Sequence, residues 1–184
     1  MKLGDQLHIG SQPFRSEQRA VGFAMAVAAV IAILVLAVAA LADRSATPLP
    51  FSARLEHALR FDLFVIAWLL ASVANVARLR FLSERDIEGS SAEGELTKVR
   101  EARAVLQNTL EQVVLAVVTH LIVAATFNRS TWIITGLVGL FAVGRMLFWV
   151  GFKHGGKGRA LGFGLTFYPS VFAFFASAAF VVVA

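Results

Sequence analysis

The chain has 184 residues, 58% of them apolar and 16% charged, with a mean hydropathy of +0.72. A soluble domain carries about 45–50% apolar and about 25% charged residues, so a water-soluble globule is excluded and lipid must solvate much of the surface. The net charge of +5 is gathered at the ends of apolar runs, which orients membrane helices and argues against nucleic acid as a partner.

Ala20 to Ala42 is a charge-free run flanked by Arg15, Arg19, Asp43 and Arg44, enough for one spanning helix at about 20 residues. Ala40-Leu41-Ala42 looks like a signal-peptidase site. The run exceeds the usual signal core of about 7–15 residues, so a retained helix is expected. A second span centres on Leu63 to Ala77, with Arg60, Asp62 and Arg78 expected to reach the interfaces by snorkelling. The mixed-charge segment Leu82 to Val99 reads as a solvated loop. A third helix is predicted from near Leu96, entering the membrane around Glu111 and ending at Phe127. A fourth runs from Ser130 to Phe152 with Arg145 as its only charge. A fifth runs from Ala160 to Ala184 and holds Pro169, a predicted kink. The runs are continuous and lack the alternation of barrel strands. The fold class is therefore all-α, an integral membrane helical bundle.

Lys and Arg placement sets the orientation. One side holds Lys2, Arg15, Arg19, Arg78, Arg80, Arg85, Lys98, Arg100, Arg103, Lys153, Lys157 and Arg159, and the other Arg44, Arg54, Arg60 and Arg129. The N-terminus is expected in the cytoplasm and the C-terminus on the opposite side.

The chemistry concentrates between Arg100 and Gln112. At about 100° per residue, Arg100, Arg103, Gln107 and Glu111 share one helix face with Asn108 on its edge. Surface ion pairing explains the two arginines. It explains Asn108 and Glu111 poorly, because an apolar stretch follows at Val113. Arg145 lies on one face with Phe148 and Phe152 and needs a partner inside the bundle. Glu111 is the expected counter-ion, in a pair that either serves function or fixes packing. His120 reads as an interhelical hydrogen-bonder. Trp132 and Trp149 suit interfacial anchoring, and Asn128-Arg129-Ser130 fits a glycosylation sequon. Gly151 to Lys157 matches phosphate-loop spacing. It lacks the following Ser or Thr and any strand–loop–helix context, so Lys153 to Arg159 reads as a flexible basic loop. With no cysteine, no disulfide, thiol nucleophile or cysteine-based metal site exists. No metal-ligating, paired-carboxylate or Ser/His/Asp constellation is seen.

Arg103-x4-Asn108-x2-Glu111, followed by Arg145-x5-Gly151-Phe152 and Arg159, resembles the MAPEG family of membrane proteins, which includes microsomal glutathione transferases and leukotriene C synthases. The resemblance runs from Phe61 to Ala184. It implies a four-helix domain over residues 51–184, with 1–50 forming a tail and an extra transmembrane helix. It also implies a homotrimer in the lipid bilayer, glutathione as cofactor between protomers on the cytosolic side, and a lipophilic small-molecule substrate. By resemblance, Asn108 and Glu111 contact glutathione, Phe148 and Phe152 stand where the family has tyrosines, and Arg159 stands where an arginine activates the thiol. Arg78 or Arg80, ending the first core helix, matches a further glutathione-contacting arginine, and Arg100, Arg103 and Arg145 are candidates for its carboxylates. The family arginine four residues before the asparagine is Ala104 here, and the only tyrosine is Tyr168 in the last helix. These departures set a glutathione transferase or peroxidase against an alternative, a non-catalytic member of the same fold that binds lipid or a protein partner.

Overall fold

The computed structural model describes residues 3–84, 86 and 97–183, with side chains from residue 14 onward. It consists of α1 (Leu3–Ser45), α2 (Phe51–Phe81), α3 (Thr97–Thr126), α4 (Thr131–Gly151) and α5 (Gly155–Val183), with one 3-10 turn at Phe152–His154. Four helical stretches are long and apolar enough to cross a membrane. The last, of 53 residues, contains both α4 and α5. Their 21 and 29 residues each exceed the roughly 20 needed for a crossing.

α4 and α5 fold back on each other at Gly155, whose φ of 75° is a left-handed conformation open to glycine. The two helices then run antiparallel at close range. A Cβ on Gly144 would lie 2.7 Å from Thr166 Cγ2 and 2.9 Å from the Gly162 carbonyl, and Gly151 abuts the Gly158 carbonyl. Small residues let backbones approach inside a bilayer, where packing replaces the hydrophobic effect as the force between helices.

α1 lies along α4 and α5. Its Ala28 and Met25 press on Gly164. At its far end the buried carboxylate of Asp43 accepts from the backbone N–H groups of Trp132 (3.1 Å) and Ile133 (2.9 Å). Ser130, the residue before α4, makes no capping bond of its own, so an acid on another helix satisfies the free N–H groups and the dipole of that terminus. α2 pairs with α3 and α4. A shared apolar core includes Ala58, Val65, Val113, Ala116, Val123, Ile134, Leu137 and Phe141.

Several sequence expectations are corrected. The basic segment ahead of the fifth span is mostly helix: α5 starts at Gly155, so Lys157 and Arg159 occupy its first turns, because the 3-10 turn Phe152–His154 and Gly155 complete the reversal. Asp62 does not reach an interface. It is 4% exposed and its Oδ1 lies 2.6 Å from His120 Nδ1, a buried α2–α3 contact that pairs one carboxylate oxygen with the imidazole. His120 is thus the interhelical hydrogen-bonder expected. Most of the expected 82–99 loop lies outside the described residues; within it, Ser83 Oγ donates to Asp86 Oδ2 at 2.6 Å.

Gly162→Val would drive a branched side chain into the backbone at Phe148. Overpacking of this kind costs about 1–3 kcal/mol, so thermal unfolding in detergent should show a clear fall in Tm. Gly139→Ala, whose Cβ would meet nothing within 4 Å, should not lower Tm, since alanine is the better helix former. Equal Tm values for the two variants would contradict the close α4–α5 hairpin.

Candidate functional site

Arg145 is the largest fully buried side chain, 1% exposed. Its Nη1 donates to Asn108 Oδ1 at 2.9 Å and its Nη2 to Thr166 Oγ1 at 2.7 Å. The Thr166 hydroxyl passes its own hydrogen back to the Phe163 carbonyl at 2.9 Å. The guanidinium carbon sits 4.4 Å from the Phe148 ring centroid and 5.9 Å from that of Phe141, so ring quadrupoles take part of the charge. One cation therefore joins α3, α4 and α5.

The expected Arg145–Glu111 pair is not formed. Glu111 is exposed and accepts from Gln107 Nε2 at 3.0 Å. Asn108 and Glu111 are three apart on α3 and so differ by about 60° around the helix axis. That rotation turns Asn108 toward α4 and Glu111 outward. Arg100, Arg103, Gln107 and Glu111 do share one exposed face, as their spacing predicts.

Asn108 also lines a cavity of about 450 Å³ with Phe148, Phe152 and Arg159, a volume within the usual small-molecule range. The Arg159 guanidinium carbon is 4.8 Å from the Phe152 centroid, and Phe152 meets Phe148 edge-on at 5.7 Å. Ala104 lines the same cavity. Arg145 does not line it and acts one layer behind, fixing Asn108. Arg78 lies apart, exposed, with Nη2 donating to Asn75 Oδ1 at 3.3 Å. Asn75 lines a second cavity of about 390 Å³ with Lys98 and Lys153. The basic ends of α2 and α3 and the turn after α4 thus sit at one end of the bundle.

A model of the MAPEG family matches residues 62–179. The chain belongs to the MAPEG family. No curated protein and no solved structure matches it. Of the residues that the MAPEG resemblance singles out, Asn108, Phe148, Phe152 and Arg159 converge on one cavity, while Arg78, Arg100, Arg103 and Glu111 stand outside it. Sequence reasoning missed Thr166, an uncharged hydroxyl in the last span, and the α1 residues Val21 and Met25, which wall the cavity from outside the matched segment.

Removing the Thr166 hydroxyl leaves a buried guanidinium nitrogen without its acceptor, and an unsatisfied buried group costs about 1–3 kcal/mol, more when charged. Thr166→Val should therefore lower Tm in detergent well beyond Thr166→Ser, which keeps the hydroxyl. Matching stabilities would remove Thr166 as the anchor of Arg145.

Proposed function

We propose that this MAPEG protein binds glutathione at the Asn108–Phe148–Phe152–Arg159 cavity and directs its thiol at lipophilic electrophiles. The observation that carries the reading is the convergence of those four side chains, from α3, α4, the 3-10 turn and α5, on one small-molecule cavity. The Arg159 guanidinium favours thiolate over thiol by charge, raising the fraction of nucleophile at neutral pH. In a transferase step the sulfur attacks an electrophilic carbon. A C–S bond forms, and the bond to the leaving group breaks with its electron pair departing as an anion. In a peroxidase step the sulfur takes the distal hydroperoxide oxygen and the alcohol leaves with a proton. A second glutathione then yields the disulfide and water.

Glutathione carries two carboxylates and an ammonium, more charge than this cavity answers alone. Arg78, Arg100, Arg103 and Glu111 are exposed, and Leu110, Val114 and Val118 beside Glu111 are exposed apolar groups. A carboxylate facing acyl chains is costly. In this reading, a neighbouring copy in a homotrimer covers that face and brings these groups to the ligand, with guanidinium forks on the carboxylates and Glu111 on the ammonium. Residues 51–184 make up the family domain, residues 1–50 precede it, and the basic end faces the cytoplasm.

A second reading, a non-catalytic scaffold, is favoured by the two phenylalanines, which offer no hydroxyl to a ligand. Titration calorimetry on detergent-solubilised protein separates the two. Saturable glutathione binding is expected, with the ultraviolet thiolate band lost in Arg159→Ala. Phe152→Tyr should restore one hydrogen bond, worth about 0.5–1.5 kcal/mol or roughly a two- to tenfold lower Kd. Absence of binding at millimolar glutathione by folded protein would leave the scaffold reading.

A further inference from the structure

The family match begins at residue 62, yet one wall of the candidate cavity is built by Val21 and Met25 of α1. That wall is fixed in place. Met25 Sδ and the Ala28 methyl lie against Gly164, Val35 and Ala39 lie against Gly136, and Asp43 clasps the start of α4. Polar and apolar groups divide unequally around the space. Asn108 and Arg159 supply its polar side chains, while Phe163, Val21 and Met25 are wholly apolar.

We propose that Val21, Met25 and Phe163 form an acceptor subsite for the aromatic, polarizable part of the electrophile, beside the sulfur held at Arg159. A thioether and a phenyl ring favour aromatic partners through sulfur–ring and ring–ring contacts. The volume of about 450 Å³ lies within the range of small-molecule sites. Because α1 is packed on the glycines of α4 and α5, the subsite has a set width, and the residues on α1 determine which acceptors fit. This inference rests on the thiol-binding reading.

The chain contains no cysteine, so one introduced thiol is a unique target for N-ethylmaleimide. Met25→Cys and, as a second probe of the same wall, Val21→Cys report on the subsite. Phe23→Cys, at a position 73% exposed on the other side of α1, is the control. S-benzylglutathione and S-methylglutathione share the tripeptide, lack a free thiol and differ in the group at sulfur. With the protein in nanodiscs, S-benzylglutathione at ten times its Kd should slow labelling at positions 21 and 25 about tenfold, the protection expected from simple occupancy. S-methylglutathione should protect much less, and neither should affect Phe23→Cys. Calorimetry on the same variants keeps the two ideas apart. Binding of S-benzylglutathione without protection at either wall position overturns the subsite. Failure of both compounds to bind overturns the thiol site and this inference with it.

Discussion

A guanidinium inside a helical membrane bundle has few ways to be tolerated, and the chain's arrangement follows from how Arg145 is accommodated. No described carboxylate meets it; an amide oxygen from α3, a hydroxyl from α5 and two phenyl rings of its own helix do. Removing such partners one at a time leaves a charge stranded in a medium that solvates it poorly. The three helices are thereby held in one rotational setting. In that setting Asn108 faces Arg145 and also lines the cavity that receives Arg159. Structural and candidate functional roles meet at one side chain.

Close helix approach supplies the second constraint. Arg145 reaches Thr166 because Gly144, Gly151, Gly158 and Gly162 let α4 and α5 lie nearly backbone to backbone. The same principle seats α1 on Gly164, while Asp43 ties its other end to the first amides of α4. The Asp43 end of the bundle is further knitted by Leu49 N donating to the Asn128 carbonyl at 3.0 Å and Arg129 Nη1 to the Arg44 carbonyl at 3.1 Å. α1 is thus an integral part of the bundle. Its residues Val21 and Met25 wall the cavity beside those of the matched segment.

The spans were legible because hydropathy reports burial in lipid directly, and α4 ends within a residue of its expected limits. Helix extensions into water were less so. The polar start of α1 and the Gly155–Arg159 turn of α5 carry no hydropathy signal, although Gly155 marks the reversal. The family resemblance singled out Asn108, Phe148, Phe152 and Arg159, and these four line one cavity. Pairings across the fold stayed hidden. Asp62 and His120 lie 58 positions apart, and charge sign alone pointed Arg145 toward Glu111. A helix rotation of about 60° decided otherwise. Thr166 carried no charge to flag it, and the role of α1 depends on a wall that no local pattern encodes.

The most direct test of a shared glutathione site assembled around Asn108 is a cryo-electron microscopy map of the protein in lipid nanodiscs with glutathione. The account predicts tripeptide density in the cavity, its sulfur beside Arg159, and a second copy of the chain against the Arg103–Glu111 face. A map with acyl-chain density in that cavity and lipid against Glu111 would contradict it.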